Sequence, residues 1–441
     1  MTKREALNGK PYAGNPHVRF DEGEAASTAT SRRGSLLYKR VCFAALVLGM
    51  ATAFAEDACG KVRYLAANGD DRNDGRTPAT AWRTVSRLNS GLPAGGTALL
   101  RCGDVFYGKI EVRGGIDSAN RTVISSFGKG PKPVVSGTKN LRDDPAIWRT
   151  NAMRYNYWYT DLSNPTNYSG VATDDANPGF LLVDGEVKPW RHFCHHDINR
   201  QWDFAGHEGR LYVYSTNNPA LLSRDIRVAV NVSGIKLHSH TAVSNLSIRL
   251  VGGHGICAGW EKTPTVDMRI CDCTFENIGG SELIGFKGMR VRYGNGVEFG
   301  SNCADATVED CRFDGIYDVA LTMQGVPTST GWNDIHFRRC RIENSSQAFE
   351  VWCKGAKPGM GFSRCSFTDS RTVNVGGGWG ALSRPNRIVA TPLLVYGMET
   401  DTVDITVSGN VFEKMPNGLM FVLDGAEKLS LGYRIHGNAV R

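Results

Sequence analysis

The chain has 441 residues, with 51 Lys and Arg against 44 Asp and Glu, and 51 glycines beside only 17 prolines. This length buries a large core in one long domain or in two to three ordinary ones, and the glycine excess indicates many tight turns between short strands rather than disorder. Residues 1–55 hold eight of the basic and four of the acidic side chains, which leaves 43 against 40 in the remainder, a balance that excludes a nucleic-acid-binding signature.

The first predicted element is an address. Residues 38–40 read Tyr-Lys-Arg, followed by the apolar run VCFAALVLGMATAFA, which ends at Ala55. A basic flank, a short apolar run and an Ala-Phe-Ala end predict a secretory signal peptide cleaved before Glu56; the run is too short for an anchor of about 20 residues. The chain is thus expected to be exported, periplasmic or extracellular, with no integral membrane segment after cleavage. The expected organisation is leader and signal peptide over 1–55, an N-terminal cap and first coils over 56–140, a β-rich insertion over 141–235, and repeats over 236–441.

In the insertion, Asp184-Gly185 lies between two apolar runs, a hairpin signal, and QWDFAGHEGRLYVYSTNNPA (201–220) predicts a second. Its aromatics, among them Trp148, Tyr155, Tyr157, Trp158, Tyr159, Trp190 and Trp202, are read as a small core. His192, His195 and His196 with Cys194 lack the second, distant ligand pair of a zinc site.

Beyond residue 242 a six-residue phrase recurs: VSNLSI (243–248), ICDCTF (270–275), VEDCRF (308–313), FRRCRI (337–342), FSRCSF (362–367), VSGNVF (407–412) and IHGNAV (435–440). A base period in the high twenties signals a solenoid. The phrases alternate like strands, and second short strands follow at GICAG (255–259), GVEFG (296–300), VALTM (319–323), AFEVW (348–352) and GLMFV (418–422). The pattern predicts an all-β protein, a single-stranded right-handed parallel β-helix of roughly ten coils. Residues of successive coils then stack about 4.8 Å apart. The fourth place of the phrase, with Cys273, Cys311, Cys340, Cys365, Asn410 and Asn438, is read as one buried structural column, because Asn cannot replace a disulfide partner. Residues 56–441 contain eleven cysteines, so one at least stays unpaired; Cys59 and Cys102 flank the cap and are placed to pair.

Residues 64–137 carry YLAANGDDRNDGRTPATAWRTVSRLN, LPAGGTALLRCGDVFYGKIEV and RTVISSFGKGPKPVVSG. This order of strand, Asn/Asp/Gly loop, short capping helix and Gly-Asp-x-Phe resembles the opening coils of secreted proteins of the pectin-lyase-like superfamily. The resemblance covers about 64–137 plus 243–441. It implies polysaccharide lyases, glycoside hydrolases, uronan epimerases, adhesins or phage tailspikes.

With Val297, Phe299, Leu321, Phe349 and Val351 pointing inward, their neighbours point out. One outward column is expected to run Glu298, Ala320, Glu350 and the next Gly300, Thr322, Trp352, with Gln324 and Lys354 beyond. Glu298 and Glu350, two coils apart at about 9–10 Å, suit an inverting glycosidase. Asp318 is expected to join them, with Arg292 and Tyr293 beside Glu298. A lyase needs a base and a cation for the uronate. Lys354 with Arg364 resembles the Lys/Arg pair of the lyase family containing chondroitinase B and alginate lyases, although that family's spacing between acid ligands and Lys is not reproduced. This resemblance would let Glu298, Asp318 and Glu350 hold calcium. Gly253-His254-Gly255 resembles the Gly-His-Gly of polygalacturonases but lacks their paired Asp on the coil before, and is read as a corner. GGGWGALSRPNR (376–387) places Trp379, Arg384 and Arg387 on an overhanging loop suited to an acidic sugar. The expected function is a monomeric, exported protein acting on a polysaccharide, acidic rather than neutral, with lyase slightly ahead of hydrolase. The rival is a non-catalytic carbohydrate-binding or adhesin-like β-helix protein, since a fold does not fix a reaction.

Overall fold

The computed structural model describes residues 60–150, 153–173, 175, 177–283 and 290–441. The leader, its signal peptide and Cys59 lie outside them. Residues from Cys59 on form one compact unit. Three parallel sheets of ten, nine and seven strands run its length. From Thr122–Phe127 on, the strands visit the first, second and third sheets in turn, coil after coil, which is a parallel β-helix. Near its start the helix Val85–Gly91 is capped by the Thr84 side chain, which accepts from the Arg87 N–H, and its Val85 and Leu88 are buried in the core.

The repeated phrase is the corner between the first and second sheets. Its third residue takes a left-handed conformation in coil after coil, at Asn245, Asp272, Asp310, Arg339 and Asp369, where Asn and Asp are tolerated best. Register corrects one member. Phe337 pairs with Phe367 and Arg341 with Arg371, so the corner of that coil is Phe367-Thr368-Asp369-Ser370-Arg371-Thr372. Ser370, not Cys365, therefore occupies the column. The column is a hydrogen-bond ladder: the Cys340 N–H donates to Ser370 Oγ at 3.0 Å, Ser370 N–H to Asn410 Oδ1 at 2.9 Å, and Asn410 N–H to Asn438 Oδ1 at 2.9 Å. A small polar acceptor satisfies each backbone N–H at the corner, which is why Cys, Ser and Asn interchange there. Cys365 lies on the first sheet opposite Ile405, buried and unpaired. Burial pushes its thiol and that of Cys340 up to about 12.

Aromatic residues stack from coil to coil inside. Phe275 and Phe313 lie 4.5 Å apart at 6°, and Trp332 and Phe362 lie 4.6 Å apart at 12°. These parallel pairs follow from equivalent residues repeating at strand spacing.

Excursions leave the coil repeatedly at one corner, between the second and third sheets. The first, between Val134–Ser136 and Ile235–Lys236, carries two antiparallel sheets of five and four strands. Both predicted hairpins are present, turning at Asp184-Gly185 and Glu208-Gly209 with positive φ at each residue. Trp148, Trp158 and Trp202 pack into that insertion's own core, whereas Tyr155 and Trp190 are exposed. The second excursion brings the strand Val291–Tyr293 against Ser281–Leu283 before Val297–Phe299. The third, between Arg371–Val373 and Leu393–Met398, is the glycine-rich loop. All three wall the same side of the third sheet.

Candidate active site

The third sheet aligns Lys236, Cys257, Glu298, Thr322, Glu350, Leu394 and Phe421 in one outward column. Glu298 and Glu350 are two rungs apart, about 9–10 Å between backbones. The residue between them is Thr322, not Ala320. The strand Val319–Gly325 begins earlier relative to its neighbours than the alternation alone revealed, so the register shifts by two. The parallel column beside it runs through Gln324 and Trp352.

The two carboxyls have unlike surroundings. Glu298 is 1% exposed. Its Oε2 accepts from Asn295 Nδ2 at 2.5 Å and Gln324 Nε2 at 2.6 Å, with His254 Nδ1 at 3.2 Å, and its Oε1 accepts from Trp260 Nε1 at 2.6 Å. The Asn295 amide is oriented from its other end, where Oδ1 accepts from the Val319 N–H. Oε1 keeps one lone pair free. Glu350 is 7% exposed, and its carboxyl has no hydrogen-bond partner among the described residues. Burial, then the neighbouring Asp318 carboxylate, push it up to about 8; Arg384 opposes them and Glu298 adds to the rise. Desolvation penalises the charged form, and nothing donates to it. The Thr322 hydroxyl on the rung between is buried and unpartnered.

The other predicted residues divide. Asp318 and Arg384 form an ion pair at 2.5 Å beside Glu350; the glycine-rich loop thus folds Arg384 back onto the sheet. Tyr293 lies edge-on to His254, with ring centroids 4.9 Å apart, and its hydroxyl donates to Asn231 Oδ1. Asn231 Nδ2 in turn donates to Asp175 of the insertion at 3.0 Å. Burial raises the Tyr293 phenol well above its ordinary value. Arg292 points the other way: its guanidinium donates to the carbonyls of Gly280, Pro189 and Gly179, tying the insertion to the coils. Trp379 is also internal, with Nε1 donating to the Gly315 carbonyl and its ring against Phe180. Lys354 lies four residues beyond Glu350, about 13 Å along the strand, with Glu399 at 4.0 Å. Arg364 is not on this face at all. It belongs to the first-sheet strand Gly361–Thr368 and pairs with Asp334 at 2.5 Å.

Three residues that touch Glu298 carried no assigned role in the sequence. His254 stood in a Gly-His-Gly read as a corner, Asn295 lies between Tyr293 and Glu298 with no motif of its own, and Trp260 directly follows GICAG. Calcium does not fit the acids. It takes six to eight oxygen ligands, whereas here N–H donors converge on Glu298 and Arg384 holds Asp318. A depression of about 470 Å³ on the insertion, bordered by Lys188, Gln201 and Trp202, includes none of these residues.

No protein-family model matches the chain, and neither does any curated protein sequence. Among solved structures, the chain is similar to XylC in complex with xylose, at 11% identity and a TM-score of 0.46 over 86% of this chain and 68% of that one. It is also similar to the GH136 lacto-N-biosidase of Eubacterium ramulus, at 12% identity and 0.33 over 87% and 68%. A rhamnogalacturonan lyase follows at 11% identity and 0.34 over 80% and 73%.

Proposed function

We propose that the chain is an exported glycoside hydrolase that inverts configuration, with Glu350 as general acid and Glu298 as general base. The observation that carries this reading is one column holding two carboxyls two rungs apart in opposite environments. A buried carboxyl with no donor suits the acid and one ringed by N–H donors suits the base, and a wide separation leaves room for the attacking water. Glu350, protonated at neutral pH, gives its proton to the leaving glycosidic oxygen. Water attacks the anomeric carbon from the other face and passes a proton to the free lone pair of Glu298 Oε1. The lyase reading loses ground, because its base and cation, Lys354 and Arg364, lie away from the carboxyls and beside acids of their own.

The test is the anomer first formed, followed by proton NMR during cleavage of a neutral glycan panel and a uronan panel. Inverted product at early times is expected. Retained configuration, unsaturated product or no turnover of any substrate would reject the assignment.

The pH profile carries a second expectation. A general acid works while protonated, so the rate falls as pH rises through about 8. Arg384 lowers the Glu350 pKa and Asp318 raises it. The alkaline limb of kcat therefore moves up in Arg384→Met and down in Asp318→Asn; identical limbs in both variants would remove this pair from the tuning of Glu350.

A further inference from the structure

One exposed tryptophan in this face has no packing reason to be exposed. Trp260 is 52% exposed, yet its indole is fixed at two points. Its Nε1 donates to Glu298, and its ring lies on Gly300, where an added Cβ would stand 2.9 Å from three ring atoms. One ring face is thus seated on backbone, and much of the indole is left to solvent. Further along the sheet the arrangement recurs. Trp352 lies over Gly397, where a Cβ would meet its ring at 3.3 Å, and it is half-buried. Tyr396, in the bulge of the Trp352–Gly397 pairing, is exposed. Phe299 pairs with Met323, and Gln324 with Trp352, so Gly300 is in line with Gln324 and then with Trp352. The two seats, Gly300 and Gly397, are three rungs apart, about 14 Å, and lie two residues, about 7 Å, from the carboxyl column.

We infer that Trp260, Trp352 and Tyr396 form a stacking track for an uncharged glycan chain running along the solenoid axis beside Glu298 and Glu350. Pyranose rings bury an apolar face on aromatic rings, and the seat spacing is roughly that of a trisaccharide. Three cations bordering the face already have acids beside them: Lys236 pairs with Glu111 and Glu261, Lys354 approaches Glu399, and Arg384 pairs with Asp318. None of the three is left to take a uronate carboxylate, and the Glu298 carboxylate repels one. The track rests on the hydrolase reading for its position beside the bond to be cleaved, but its binding chemistry is separable.

Binding is measured by calorimetry and by indole emission in the Glu350→Gln background, which prevents turnover. The probes are cellohexaose and xylohexaose as neutral chains and hexagalacturonate as the charged one. A neutral hexaose is expected to bind and hexagalacturonate not. Trp260→Ala and Trp352→Ala should each weaken binding about tenfold. Trp260→Phe keeps the ring without the N–H donor and should stay within about threefold of the parent, which separates stacking from loss of the Glu298 contact. Binding of hexagalacturonate in preference, parent-like binding in both alanine variants, or no binding of either neutral chain would overturn the track. Inverting turnover by the wild type with undiminished binding in Trp260→Ala sinks the track alone. Weakened binding in that variant without any wild-type turnover sinks the hydrolase alone.

Discussion

Glu350→Gln is expected to lower kcat by about 10²–10⁴-fold, the range that general acid catalysis contributes, while KM changes little. Glutamine has nearly the shape of the protonated acid and fits the same buried place, but it carries no transferable proton. The loss should shrink for substrates with leaving groups that need no protonation, such as nitrophenyl glycosides. It should also remove the alkaline limb near pH 8. Stability gives an independent check. In the unfolded chain Glu350 loses its proton near the ordinary carboxylate value, and in the fold near 8. Between those values the unfolded state is favoured progressively, so the wild type loses stability as pH rises through that window. Glutamine cannot titrate. Tm of Glu350→Gln relative to wild type should therefore climb from pH 4 to pH 8 and then level off. An equal Tm difference at all pH values would show that Glu350 is not held protonated.

The fold was legible because a solenoid writes its period into the sequence. Val, Ile and Phe at fixed places in each corner phrase, and small polar residues between them, survive as a pattern because every coil meets the same neighbours. The pattern failed where the chain leaves the coil. The glycine-rich loop separates the corner phrase at 367–372 from the strand Leu393–Met398, and that displacement drew Cys365 into a column that belongs to Ser370. The same limit explains the site. Glu298 and Glu350 were legible as outward neighbours of buried apolar residues, but the rung between them depends on where Val319–Gly325 starts, which hydrogen bonds fix and alternation does not. What covers the face was legible only in part: Tyr293 and Arg384 were expected there, the groups around them were not. His254, Asn231 and Asp175 reach it from three different segments, and only the shared corner of the excursions brings them together.

Trp332→Ala is expected to destabilise the protein by about 3–5 kcal/mol, the cost of emptying a large buried aromatic site. The indole is fully buried on the strand Gly331–Arg338, stacked on Phe362 of the next coil, and its Nε1 donates to the Phe299 carbonyl at 2.9 Å. That carbonyl belongs to the residue after Glu298, so the bond ties a first-sheet core residue to the strand that carries the proposed base. Two variants separate the contributions. Trp332→Phe keeps most of the packing and loses the donor, leaving a buried carbonyl short of a partner at about 1–3 kcal/mol. If the tie also positions Glu298, kcat falls in Trp332→Phe at temperatures where the protein is fully folded, while the pH limb set by Glu350 stays in place. If the tie serves the core alone, denaturant midpoints move in both variants and kcat per folded molecule does not. A Trp332→Ala protein as stable as wild type would mean that neighbouring coils close over the gap, against the close packing that the stacked Phe275–Phe313 and Trp332–Phe362 pairs display.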